Sequence, residues 1–337
     1  MDDCLVAVRA ALRTSETAGE RVLIACSGGP DSLALAFLVA EASQPAAPSA
    51  CVAVVDHGLQ PDSQAVAAGA AEQCRSMGYR SVVVLKATVT EHGDGPEAAA
   101  RRARQSVLLD HAREVGAQHI WLGHTLDDQA ETVLIGLTHG SGARALQAMA
   151  DVSAPWVRPL LHLRRAQVRS VLPASITPWE DPHNRDRRFL RADVRERLLP
   201  LLVDVLGDRA VVSLARSAHL LREDNAALDD LAAAFLREET STVAGREPVE
   251  PLEVSLMSCS RTGLAALPTA VRSRVIRLLA LHAGATARNI TSAHICAVAR
   301  LALEPDVNGP IALPGGVHAF RDHDRVVVCP VDPRERS

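Results

Sequence analysis

The chain has 337 residues, is 47% hydrophobic and 23% charged, and carries a formal net charge of −4. That length fits two globular domains, and the acidic balance argues against a protein that coats nucleic acid indiscriminately. The longest apolar run, Leu33–Ala40, is far too short to span a bilayer, and the start Met1-Asp2-Asp3 has no signal-peptide pattern, so a cytoplasmic protein with no membrane role is expected.

Short β-branched runs at 21–26, 51–56, 81–86 and 119–122 read as strands, and helical patterns at 32–42, 63–78 and 97–115 separate them. This alternation predicts an α/β fold, a doubly wound and mostly parallel sheet with helices on both faces. Ligands in such sheets bind beyond the carboxyl ends of the strands, where the strand order reverses. After about residue 175 the pattern turns helical, at 191–206, 214–237, 270–283 and 291–303, with the acidic segment Glu238–Pro251 reading as a loop. Turn signals at Leu313-Pro314-Gly315-Gly316 and Asp322-His323-Asp324 stand beside strand-like Val326–Val328. A boundary at Gly207 then gives an α/β domain over 1–207 and a smaller, mainly helical domain over 208–332 with a short β tail.

Seven cysteines, at 4, 26, 51, 74, 259, 296 and 329, include no C-x-x-C. They read as small core side chains in a reducing compartment, without a disulfide framework, zinc or an iron–sulfur cluster. Lys86 is the only lysine, so the basic charge is carried by arginine, whose planar fork suits phosphate. Between Arg158 and Arg197 there are ten arginines against five acids, and between Val254 and Leu303 six arginines and no acid. Such stretches suit selective contact with RNA, and equally ordinary solvated helix faces.

Four clusters carry chemistry. Ser27-Gly28-Gly29-Pro30-Asp31-Ser32 joins the first strand to the first following helix. Its glycines allow close backbone approach, and the helix start points unpaired N–H groups at the loop, which makes a phosphate site. It lacks the lysine of a Walker loop. In Gly123–Thr132, Asp128 and Glu131 lie three apart on one helix face and could hold Mg²⁺ or an ammonium group. Thr125-x-x-Asp128 also fits a capping box, which does not exclude that role. In Glu97–Arg104, Arg101 and Arg104 share a face, aligned for a polyanion or paired with Glu97. In Asp181–Arg195, a turn at Asp181-Pro182-His183-Asn184 precedes Arg191 and Arg195. His57 and His124 end strand-like runs facing the same crevice, and Gly140-Ser141-Gly142 ends the Asp128 helix.

Taken in order, these clusters resemble those of the tRNA(Ile)-lysidine synthase family of PP-loop ATP pyrophosphatases. The matching strings are Ser27–Ser32, Asp56–Leu59, Glu97–Arg104, Gly123–Thr132 with Gly140–Met149, and Arg158-Pro159-Leu160-Leu161 followed by Asp181–Pro200. The likeness is close over 20–205 and weaker over 210–330. Departures are Gln60 for a common Arg, Gln105 for an aromatic residue, and Thr138-His139 where a basic residue is usual. Longer family members continue into an extra C-terminal domain, so the chain is expected to be a short form.

The resemblance implies that ATP adenylates the first anticodon cytidine of an isoleucine tRNA with a CAU anticodon and releases pyrophosphate. Free L-lysine then displaces AMP to form lysidine, a carbon–nitrogen ligation. It implies an ATP site at Ser27, Gly28, Gly29, Pro30, Asp31 and Ser32 with Arg101 and Arg104, and Asp31 as a Mg²⁺ ligand. Asp128 and Glu131 would hold the lysine, and with Asp31 form the catalytic set. Arg191 and Arg195 would contact tRNA or the nucleotide. The alternatives are another PP-loop tRNA-modifying enzyme, such as a thiolation enzyme, and a nucleotide-binding regulator without catalysis. A homodimer stays open.

Overall fold

Odd and even side chains of the first strands serve two different helical layers, and that alternation builds the first core. In the computed structural model, which describes residues 1–17, 19–44, 49–56, 58, 62–89, 96–138, 142–182, 186–243 and 257–331, the elements begin with α1 (Asp2–Thr17), β1 (Arg21–Cys26), α2 (Pro30–Ser43), β2 (Cys51–Asp56) and α3 (Ser63–Ser76). Next come β3 (Val82–Lys86), α4 (Pro96–Glu114), β4 (Ala117–Trp121), α5 (Leu126–Thr138), α6 (Ala143–Leu146), β5 (Val152–Ser153) and β6 (Trp156–Val157). Val22, Ile24 and Cys26 of β1, with Val52 and Val54 of β2, pack in one cluster with the apolar residues of α1, α2 and α3. Leu23 and Ala53 point the other way, onto Leu108 and Ala112 of α4. Period-two burial on both faces is what a parallel sheet covered by helices requires.

The sheet order is β3-β2-β1-β4-β6-β5, parallel except for the edge pairing of β5 with β6. The chain steps outward from β1 to β2 and β3, then returns to place β4 on the other side of β1. The carboxyl ends of β1 and β4 therefore flank the switch point where such folds bind ligands. The expected strands are present. Sequence reasoning did not place the helix α1, which packs on α2 and whose buried Cys4, Val8 and Leu12 recur at helical spacing, or the short strands β5 and β6, which have two residues each.

After β6 come α7 (Arg165–Arg169), α8 (Leu190–Asp193), α9 (Leu199–Leu206) and the long α10 (Arg209–Val243). Residues Val194–Leu198 join α8 to α9 as a π-helical turn, in which the Leu199 N–H reaches back five residues to the Val194 carbonyl. Pro200 explains the widening: it has no N–H and its ring crowds the carbonyl four residues earlier. The expected helix 191–206 is thus one helical path with a bulge.

Two units are resolved, Met1–Leu221 and Arg222–Ser337, with the division inside α10. Gly207, the sequence boundary, caps α9 with φ +81°. Within the second unit follow β7 (Met257–Ser260), α11 (Arg261–Ala266), α12 (Thr269–His282), α13 (Ser292–Leu303), β8 (Ile311–Leu313), β9 (Val317–Asp322) and β10 (Arg325–Pro330). The antiparallel order β7-β10-β9-β8 encloses, with these helices, a core of Leu264, Val275, Ile276, Leu279, Leu301 and Val326. The sheet is more than a tail, because β7 precedes the helices and pairs with the last strand. The loop expected over Glu238–Pro251 is corrected in part: α10 continues to Val243, and 244–250 lie outside the described residues. No helix among the described residues is long and apolar enough to cross a membrane.

The tightest backbone contact at the switch point is at Gly123, just after β4. A Cβ there would lie 2.7 Å from the Asp31 carbonyl oxygen and 2.9 Å from its carbon. Both atoms are backbone, so no side chain can yield. Gly123→Ala is expected to lower unfolding stability by about 1–3 kcal/mol, read from urea denaturation; an unchanged midpoint would show that β4 and α2 are not closely packed.

Candidate active site

The loop after β1 is held by its own hydroxyls. The Ser27 N–H donates to Ser32 Oγ at 3.1 Å, the two serine hydroxyls are 3.2 Å apart, and Ser32 Oγ donates to the Gly29 carbonyl at 3.0 Å. Gly28 adopts φ +77°, a left-handed conformation that favours glycine, and its carbonyl accepts from the Trp179 N–H at 2.9 Å. Gly29 is the N-cap of α2 and Pro30 opens the helix, where a missing N–H costs nothing. The first-turn N–H groups of Asp31 and Ser32 have no acceptor within the helix. The loop therefore has the form of an anion cradle.

At the end of β4, Thr125 starts α5. The Thr125 N–H and hydroxyl both donate to Asp128 Oδ2, at 2.8 and 2.7 Å. The capping geometry expected from the sequence therefore uses one Asp128 oxygen and leaves the other for different partners. Asp128 Oδ1 accepts from Arg165, Arg191 and Arg195 at 2.9, 3.3 and 3.2 Å. Glu131, one helical turn on and 0% exposed, accepts from the same three arginines at 2.7–3.1 Å. Beside it, Asp127 holds the Arg164 guanidinium through both oxygens and the Arg165 N–H at 2.7 Å. Asp31 is gripped by Arg169 at 2.8 and 3.2 Å. In all, five arginines meet four carboxylates.

A cavity of about 210 Å³ lies between the loop and this cluster, lined by Ser27, Asp31, Arg104, His124, Asp128 and Arg195 among others. Arg104 has no acidic partner among the described residues; burial, then Arg101 and Arg191, press its pKa down. Arg165 Nε is buried without a hydrogen bond. His124 Nδ1 is likewise buried and unpaired. Burial chiefly lowers the His124 pKa to about 4, Asp128 opposing and Arg191, Arg158 and Arg104 assisting. The imidazole is neutral at neutral pH. Burial works against an ionised Asp128, yet Arg165 and Arg191 outweigh it and hold that carboxyl well below the usual range. The excess of cationic donors facing the cavity suits an anionic ligand.

Ser27, Gly29, Pro30, Asp31, Ser32, Arg104, Asp128 and Arg195 thus line one space, with Glu131 and Arg191 joined to it through the ion-pair cluster rather than lining it. The carboxylates Asp128 and Glu131 share a helix face, as their spacing requires, but their oxygens are already taken by protein donors. Arg191 and Arg195 turn onto those carboxylates. Arg101 is exposed and does not line the cavity. His57, Gly140, Ser141, His183 and Asn184 lie outside the described residues, as does the side chain of Glu97. Sequence reasoning missed Asp127, Arg164, Arg165 and Arg169. The available signal was the Arg164-Arg165 pair at the start of a short helix after Arg158-Pro159, counted only as part of a basic stretch.

Among the described residues no three His, Cys, Asp or Glu side chains gather as a metal cage. Mg²⁺ bound with a nucleotide needs only one or two carboxylates, taking its other ligands from phosphates and water. Asp31, in the first turn beside the anion cradle, fits that requirement, in competition with Arg169.

Two outcomes follow. Glu131→Gln leaves guanidiniums without their buried counter-charge and is expected to cost about 3–5 kcal/mol in denaturant unfolding; a loss under about 1 kcal/mol, the size of a surface pair, would mean the cluster is hydrated. For His124 the folded pKa lies below the unfolded one, so the unfolded chain binds the extra proton and stability falls as pH drops from about 6.5 to about 4. Between pH 7 and pH 5 that contribution is about 2 kcal/mol, and His124→Asn should remove it. Asp128 acts lower: its contribution is complete above about pH 4 and lost as pH falls through its depressed folded value.

Known proteins match this chain over nearly its whole length. A family profile for the PP-loop domain matches residues 6–202, and one for the TilS substrate binding domain matches residues 260–327. The tRNA(Ile)-lysidine synthase of Rhodococcus erythropolis is 44% identical over 322 residues, covering 94% of this chain and 91% of that protein. That of Thermobifida fusca is 42% identical over 323 residues, covering 96% and 95%. Among solved structures, the U34-tRNA thiolase NcsA from Methanococcus maripaludis has a TM-score of 0.55 at 18% identity over 66% of this chain and 79% of that one, a likeness of fold alone. The phosphate loop without a Walker lysine, the carboxylate–arginine cluster beside it and identity spanning nearly the whole length lead to one conclusion: the chain belongs to the tRNA(Ile)-lysidine synthase family.

Proposed function

We propose that this protein converts the first anticodon cytidine of a CAU-anticodon isoleucine tRNA to lysidine, in the cytoplasm, with ATP and free L-lysine as co-substrates. The base's carbonyl oxygen on carbon 2 attacks the α-phosphorus of ATP, and pyrophosphate leaves. The lysine amine then adds to carbon 2, and AMP leaves with that oxygen. The observation that carries the reading is the convergence of the anion cradle Ser27–Ser32 and the Asp128–Glu131 cluster on one cavity.

The roles follow from charge and hydrogen bonding. The loop's N–H groups and hydroxyls hold the departing pyrophosphate oxygens, and Arg104, lacking an acid, supplies a counter-charge. Asp31 would hold Mg²⁺, which when bound neutralises charge developing on the phosphates. Arg191 and Arg195 can exchange their carboxylates for phosphate oxygens. That exchange exposes negative charge on Asp128 and Glu131 to the lysine's ammonium. With its pKa held low, Asp128 is a poor proton acceptor, so its task is to position charge rather than to deprotonate the amine. His124, neutral and unpaired at Nδ1, offers the cavity a hydrogen-bonding nitrogen.

The deciding assay incubates the protein with labelled lysine, ATP and total tRNA and identifies the labelled nucleoside. Lysidine is expected, with AMP formation dependent on lysine and the CAU-anticodon isoleucine tRNA together. A thiolated nucleoside, or equal AMP formation with elongator methionine tRNA, would overturn the reading. Arg104→Ala should raise the KM for ATP by about tenfold or more, the worth of one charge-assisted contact, with the lysine KM little changed. Asp128→Asn, checked to be folded, should show the reverse bias; equal effects on both substrates would refute the assigned roles.

A further inference from the structure

Beneath the nucleotide loop two thiols meet. Cys26 ends β1 immediately before Ser27, and Cys74 lies near the end of α3. Their sulfurs are 3.9 Å apart, and both residues are free thiols buried in the core. Cys26 Sγ also accepts from the Gly28 N–H and sits 3.7 Å from Ser32 Oγ, the hydroxyl on which the loop's internal hydrogen bonds converge. This sulfur is thus a fastening point of the loop. Cys26 is also among the residues that line the cavity.

We propose that Cys26 and Cys74 are a modification site, a thiol pair that peroxide converts reversibly to a disulfide, releasing the nucleotide loop from its ATP-binding form. The chemistry balances. The Cys26 thiolate attacks one peroxide oxygen, the O–O bond breaks, and the departing hydroxide takes up a proton to leave as water. The resulting sulfenic acid is attacked by the Cys74 sulfur; the S–O bond breaks and a second water carries off the Cys74 proton. Two thiols and one hydrogen peroxide give one disulfide and two waters. The order of attack follows the electrostatics. The Cys74 hydrogen bond is the main influence lowering the Cys26 thiol, against burial, and the same bond first and burial second raise the Cys74 thiol.

The geometric consequence falls on the loop. A disulfide is about 2.05 Å long, so the sulfurs must close nearly half of their 3.9 Å separation. The loop lies close against α3: a Cβ on Gly28 would stand 3.0 Å from the Ala70 Cβ, one turn from Cys74 on the same helix. Drawing Cys26 Sγ toward Cys74 is expected to break its Gly28 and Ser32 contacts, which fasten the loop. The reading of the loop as an ATP site underlies this inference.

The test treats the full chain with hydrogen peroxide, alkylates the remaining thiols, and maps peptides by mass spectrometry alongside ATP-binding titrations. A Cys26–Cys74 linked peptide is expected, with ATP affinity reduced by about tenfold or more, as loss of loop hydrogen bonds to phosphate implies. Dithiothreitol should restore binding, and saturating ATP should slow the linkage. Cys74→Ala should retain ATP binding under peroxide. Over-oxidised Cys26 without the linked peptide, a linked peptide with unaltered ATP affinity, or equal peroxide sensitivity in Cys74→Ala would each overturn the inference. Reduced protein that does not bind ATP would instead overturn the nucleotide reading, while the linked peptide would still decide whether the thiols pair.

Discussion

Everything at the carboxyl edge of the first sheet depends on neutralising Glu131. Its carboxylate is wholly enclosed, and a buried charge without partners is several kcal/mol uphill. Three guanidiniums, from Arg165, Arg191 and Arg195, meet that demand. They come from α7 and, later in the chain, from the continuous path of α8 and the π-helical turn, segments individually too short to be stable alone. The acid on α5 is therefore also what gathers those segments against the sheet. Asp127 repeats the device on a smaller scale by holding both the side chain of Arg164 and the backbone N–H of Arg165. Ion pairs of this kind contribute little net stability over an apolar core, but they fix which arginine stands where.

That constraint explains which parts of the molecule were legible in advance. The strands β1 and β2 were readable to the residue because each is a continuous apolar run, buried on both faces, bounded by polar or turn residues. The phosphate loop was readable because its glycines, proline and serines each answer a backbone requirement. The Asp128 helix start was readable because capping is local. Arg165 and Arg169 were not, because nothing local distinguishes an arginine bound for a buried carboxylate from one bound for solvent. Strand order and the return of β4 beside β1 are likewise long-range facts. The extension of α10 over Glu238–Val243 shows the opposite failure: polar, acidic composition suggested a loop where the helix continues.

The cluster also separates two uses of the same acids. Were Asp128 and Glu131 merely structural, matched charge would suffice. The edge instead carries five arginines for four carboxylates, with Arg104 added on the cavity wall and unmatched among the described residues. A surplus of partly buried guanidinium is unfavourable by itself, because desolvation disfavours the charged form. It becomes favourable when an anion of several charges enters.

Under the proposed function, charge dictates an order of binding. Lysine's ammonium entering first would face a cationic wall and would have to strip an arginine from a buried acid, leaving that arginine unpaired in the same cavity. A triphosphate entering first gives the arginines new acceptors in the cradle at Ser27–Ser32, and only then does negative charge on Asp128 and Glu131 become available. The exchange keeps every buried charge partnered at each stage, whereas the opposite sequence does not. In that proposal loop and cluster are two halves of one electrostatic arrangement, in which the nucleotide's phosphates prepare the site for the amine.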